Sequence, residues 1–218
     1  MNYTEKELGE NYNKFIDLIK SQFTGDRLNK LLNLYGDSEY GYQVSISPAS
    51  PKDYTNNAYI GGYIDHVMTL HKASLGVKKL WEIMGGIIDF TSEELAFSVI
   101  NNGLGILGDK DVGEYYLPND SEWHVKNTGT LYKTNADLQH MLISDRSLFT
   151  LQKYGIVCTW KEYLAIKLSN GLYNEGNKSY LYTFTKDMDL KTNLPKVVHE
   201  AYMMAYQSEI DIEKQKTL

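Results

Sequence analysis

Apolar residues recur at helical spacing almost from the start of the chain. Leu8, Tyr12, Phe15, Ile16, Leu18, Ile19 and Phe23 predict an amphipathic helix over residues 4–22, and Leu28, Leu31, Leu32 and Leu34 predict a second over 26–35. The period then fails. Residues 36–57 gather glycine, serine, asparagine, Asp53, Pro48 and Pro51, and a proline both fixes φ and removes a backbone donor, so an ordered loop is expected there. Helical spacing returns over 62–75, 77–84 and 91–104, the last opening on Thr91-Ser92-Glu93-Glu94. That quartet predicts a capping box, in which the threonine hydroxyl accepts one free amide and the glutamate reaches back to another. Residues 110–135 mix aromatic and polar positions with Gly113, Pro118, Asn119 and Gly129 and read as an irregular excursion with a small hairpin; helices follow over 136–154, 159–169 and 194–211. No repeat, low-complexity tract or linker interrupts the series. An all-α fold is predicted: one domain over 1–218, with helices and loop in 1–46 packed on a core in 47–211.

Composition narrows the function classes. At 218 residues and 42% hydrophobic content the chain can bury a sizeable core. Twenty-two basic against 28 acidic side chains leave a formal charge of -6, which argues against a broad nucleic-acid footprint while permitting a local phosphate site. Cys158 is the only cysteine, so a disulfide framework and a cysteine zinc cluster are excluded; it reads as a buried structural thiol in a reducing cytoplasm. Neither a signal-peptide core nor an apolar run of about 18 residues is present, and no membrane association is expected. Eighteen tyrosines are unusual, and compositional bias is the plainest source.

Two segments carry the chemistry: Gly61-Gly62-Tyr63-Ile64-Asp65-His66 and Asn102-Gly103-Leu104-Gly105-Ile106. With Ser47-Pro48-Ala49-Ser50, Asp145-Arg146-Ser147-Leu148-Phe149, Ser169-Asn170-Gly171-Leu172-Tyr173 and His199-Glu200-Ala201-Tyr202, they resemble the HD-domain metal-dependent phosphohydrolases, and most of all the short members encoded by tailed phages. The resemblance runs over residues 47–209, about three quarters of the chain. It implies an HD-like helical bundle in which histidine and aspartate ligands from several helices hold a cation that activates water.

By that resemblance His66 matches the first metal ligand. Asn102 and Gly103 stand where the family has its His-Asp pair, Ile106 where it tends to carry a lysine, and Tyr202 where an aspartate closes the site. An amide, a bare glycine and a phenol with an ordinary pKa near 10 are poor substitutes for imidazole and carboxylate. The second pocket element, His-Asp-Gly-x-Tyr in relatives, reads Ser169-Asn170-Gly171-Leu172-Tyr173 here. The four positions His66, Asn102, Gly103 and Tyr202 are therefore read as a vestigial metal site, with no metal and no cofactor expected. For His66 a hydrogen-bonded pocket histidine is the competing plain role.

Arg146, Ser169, Asn170, Tyr173 and Lys178 are the candidate ligand-binding residues, Arg146 because its guanidinium can grip a phosphate bidentately; the plainer role for Arg146 is an ion pair with Asp145 or Glu175. The expected function is that of a catalytically inactive HD-domain-like protein, cytoplasmic (host cytoplasm if phage-encoded), that binds a nucleotide or other small phosphate, or a protein partner. The alternative is a metal-dependent nucleotide phosphohydrolase with a rebuilt site. A retained small-molecule site is expected in a cleft bordered by His66, Asn102, Arg146, Asn170 and Lys178, selecting an anion.

Overall fold

A computed structural model describes residues 3–53, 55–182 and 185–216. It is predominantly helical. The helices are α1 (Glu5–Gln22), α2 (Gly25–Gly36), α3 (Ser38–Ile46), α4 (Gly62–Ile83), α5 (Ser92–Asn101), α6 (Glu122–Thr128), α7 (Ile143–Lys153), α8 (Trp160–Leu168), the single turn α9 (Lys178–Leu181) and α10 (Leu194–Lys216). A two-stranded antiparallel ribbon, β1 (Tyr116–Pro118) with β2 (Tyr132–Thr134), pairs Tyr116 with Thr134 and Pro118 with Tyr132 across α6, so the expected excursion holds its small hairpin. Among the described residues, no helix is long and apolar enough to cross a membrane.

Several element boundaries differ from the sequence expectation, each for a local reason. Residues 38–46 form a helix because Tyr40 and Val44, one turn apart, are buried in the core; Gly36, Gly41 and the following prolines obscured that spacing. α4 runs unbroken through Gly76, whose Cβ position is open space, so the glycine costs about 1 kcal/mol of propensity and does not break the helix. α7 begins at Ile143 instead of 136, since the Asn135 side chain accepts the Asp137 amide and fixes an Asx turn in place of a helical start. α5 stops at Asn101 and a 3-10 turn over Leu104–Leu107 follows. Here Gly105 is required by close approach: a Cβ would lie 2.3 Å from the Ile143 carbonyl oxygen. Thr91 and Glu94 do close the expected capping box, and Thr4 with Glu7 and Thr159 with Glu162 form two more.

Packing divides into two apolar clusters. The first joins Phe15 and Ile19 of α1 and its C-cap Phe23, Leu31, Leu34 and Tyr35 of α2, Tyr40 and Val44 of α3, and Tyr63, Ile64 and Val67 of α4 to Phe97, Leu104, Leu151 and Ile166. The second gathers Leu70 and Val77 of α4 and Leu95 and Val99 of α5 against Leu194, Val197, Val198, Ala201 and Ala205 of α10. At about 1.5–3 kcal/mol per fully buried large aliphatic or aromatic side chain, these clusters are the main drive to fold. α4 contributes to both, and its packing on α10 is the most extensive of any helix pair.

One buried ion pair fastens α2 to the helices behind it. Glu162, fully buried, receives Arg27 Nη1 at 2.7 Å and Nη2 at 2.9 Å, and also accepts the Thr159 amide at 2.7 Å. Arg27 further bonds Glu93 and the Val157 carbonyl and lies 4.4 Å above the Phe97 ring. Cys158 is a partly buried free thiol nearby, its pKa pushed up to about 11 by burial and then by the Glu162 charge.

Candidate functional site

The Gly61-Gly62 pair sets the entry to α4. Gly61 adopts φ +87°, and a Cβ at Gly62 would sit 2.0 Å from the Asn57 carbonyl oxygen, which is itself held by the Ala49 amide. The tight turn brings Asn56 over the second turn of α4, where it meets His66. Asp65, on a different side of the helix, accepts Tyr3 Oη and Tyr59 Oη at 2.8 Å each and Asn11 Nδ2 at 3.1 Å, pinning the start of α1 to α4. Burial and the Asp65 acceptor raise the Tyr3 phenol pKa; the same causes, with the charge of Asp65, raise that of Tyr59. Because one carboxylate satisfies three donors, Asp65→Ala is expected to cost about 1.5–3 kcal/mol in urea unfolding. A loss near zero would mean that this latch contributes nothing to the fold.

His66 is 4% exposed, and so is Glu209 from α10. His66 Nδ1 stands 2.9 Å from Glu209 Oε2 and 3.2 Å from Oε1, with the Asn56 carboxamide 3.2 Å from the same nitrogen. The ring also meets Tyr202 edge-to-face at 5.7 Å between centroids. Burial pushes the Tyr202 phenol up to about 12, helped by Tyr206, the Glu209 carboxylate and Tyr173.

These surroundings do not fit a divalent cation. Among the described residues no group of three or more His, Cys, Asp or Glu side chains is placed to hold one. His66 and Glu209 engage each other, and their other neighbours are an amide and a protonated phenol.

The remaining candidates separate. Asn102 caps α5 with its carbonyl 3.0 Å from the Ser147 hydroxyl, while its buried Nδ2 has no partner. Gly103 needs no bare α-carbon, since a Cβ would make ordinary contacts at 3.6 Å with Tyr63 and 3.8 Å with Ile106. Arg146 is buried, donates to the Gln139 carbonyl and lies 5.8 Å from the Tyr115 ring centre. Its suggested partners are taken: Asp145 bonds Lys167 and Glu175 bonds the exposed Lys178 at 3.2 Å. Ser169 is buried and gives its carbonyl to His199 Nδ1 at 2.7 Å. Asn170 and Tyr173 do meet at a common place. With Tyr202, Met203 and Tyr206 they line a recess of about 240 Å³, adjoining His66 through Tyr202. Arg146, Asn102 and Lys178 do not line it, so the five-residue anion cleft expected from sequence is not assembled in this geometry.

Glu209 and Tyr206 were missing from the sequence reading. Both carry a spacing signal: Tyr206 falls four and Glu209 seven residues after Tyr202, hence on its face of α10. Asn56 carried none, because only the turn at Asn57 brings it to His66. Comparison with family models, with curated proteins and with solved structures finds no match to this chain.

Proposed function

We propose that this chain is a catalytically inactive HD-domain-like protein, related to the phage-encoded members of that family, whose former metal centre has become a small-molecule recess. The observation that carries the reading is the His66–Glu209 bond with Tyr202 packed on the imidazole. A histidine that would face a cation in HD hydrolases is tied to a carboxylate from α10, and an aromatic ring occupies the place of the closing aspartate. Activation of water for phosphoryl attack needs a cation with several anionic or imidazole ligands. Asn102, Gly103 and Tyr202 supply none of these.

Binding remains available to the recess formed by Asn170, Tyr173, Tyr202, Met203 and Tyr206. Its aromatic and amide lining suits recognition by shape, stacking and hydrogen bonding.

The test combines chelation with turnover. Treatment with EDTA is expected to leave the melting temperature unchanged, because no ligation energy is linked to folding. With Mn, Mg, Co or Ni supplied, no phosphate release from nucleotides above background is expected. Stoichiometric metal together with turnover that His66→Ala abolishes would establish a hydrolase and reverse the proposal.

A further inference from the structure

The recess carries no charge of its own. Asn170, Tyr173, Tyr202, Met203 and Tyr206 line it, and every basic side chain that the HD resemblance brings near has a partner elsewhere. Arg146 holds the Gln139 carbonyl, Lys167 holds Asp145 and Lys178 holds Glu175. His66, behind Tyr202, is engaged by Glu209. Behind the lining stands an acid: the Glu209 carboxylate, on α10 with Tyr202 and Tyr206 and two turns from Tyr202, holding the His66 ring that packs on Tyr202.

A phosphate entering this recess would leave water to face aromatic rings, whose faces are electron-rich, with no cation to receive it; that desolvation goes uncompensated. An organic ammonium meets the reverse conditions. Ring faces attract it, the Asn170 carbonyl oxygen can accept from a hydroxyl that it carries, such as choline's, and Glu209 adds an acidic side chain behind the lining. Size agrees, since about 240 Å³ lies below the roughly 300–1,000 Å³ typical of pockets for drug-sized ligands and suits a headgroup more than a whole nucleotide.

We infer that the recess between Tyr173, Tyr202 and Tyr206 takes a small organic cation of the trimethylammonium type. This rests on the reading that the former metal centre is a binding site, and it specifies the ligand class.

Isothermal titration of the full chain compares four probes: choline, its neutral carbon isostere 3,3-dimethylbutan-1-ol, adenosine and inorganic phosphate. Choline is expected to bind, with the isostere at least tenfold weaker. Tyr202→Leu is expected to weaken choline at least tenfold. Tyr173 is 83% exposed, so Tyr173→Ala removes a rim ring without unfolding the chain and is expected to weaken choline about two- to fivefold. Equal binding of choline and its isostere overturns the cation assignment, as does indifference to both tyrosine substitutions. Adenosine or phosphate binding in preference to choline overturns it too while leaving the proposed binding function standing. If none of the four binds at millimolar concentration, both readings fall.

Discussion

Arg27→Met is expected to destabilise the folded chain by about 3–5 kcal/mol, the range for removing one partner of a buried ion pair. The cost does not reside in the lost contacts alone. Glu162 has no exposed surface, and without the guanidinium its carboxylate keeps only the Thr159 amide within an apolar setting. At about 2–4 °C per kcal/mol for a chain of this size, thermal unfolding followed by circular dichroism should move down by roughly 10 °C. Changing both residues, Arg27→Met with Glu162→Met, should recover much of the loss, because the stranded charge goes with its partner. If Arg27→Met melts with the parent, the bidentate pair is energetically idle and α2 is held by its leucines alone.

Gly62→Ala should be nearly as damaging, at about 3 kcal/mol or more, although it adds a single methyl group. The obstacle is backbone: the new Cβ would lie 2.0 Å from the Asn57 carbonyl oxygen and 2.9 Å from its carbonyl carbon. Asn57 cannot withdraw freely, because it already sits at φ +47° and its oxygen accepts the Ala49 amide. Relief requires moving the 56–57 turn, which carries the Asn56 carboxamide off His66. The variant should therefore lose stability and perturb the His66 ring resonances together. Gly76→Ala is the control: its Cβ position meets nothing within 4 Å, so the substitution should stabilise α4 by up to about 1 kcal/mol. Equal melting of Gly62→Ala and the parent would show that the turn yields easily and that the glycine is incidental.

Much of the helical architecture was legible because the relevant forces are local. The 3.6-residue period of Phe15, Ile19 and Phe23 and the Thr91–Glu94 box act within a few turns of chain, and both are realised. α3 was hidden because glycines and nearby prolines argue for a loop, and only the burial of Tyr40 and Val44 overrides them. At the candidate site the divide is the same. Tyr202 and Asn170 were singled out through the HD resemblance, and they share a recess. Arg146 was credited with an anion on the strength of its chemistry, yet its guanidinium direction is set by the Gln139 carbonyl, which belongs to a non-helical stretch that the periodicity had assigned to α7. Spacing puts Glu209 on the Tyr202 face of α10, but that it reaches the imidazole of His66, 143 residues away, follows only from the packing of α10 on α4.

That packing has a bearing on how the chain is made. A polypeptide leaving the ribosome emits α4 well before α10, so Leu70 and Val77 emerge with their eventual cover still unsynthesised. The first cluster draws on α1 to α3 and half of α4, but it also needs Leu151 and Ile166, so neither cluster can close early. Closure of the second cluster therefore waits for α10, and until then the nascent chain carries an uncovered apolar stripe along α4, the kind of surface on which chaperones act.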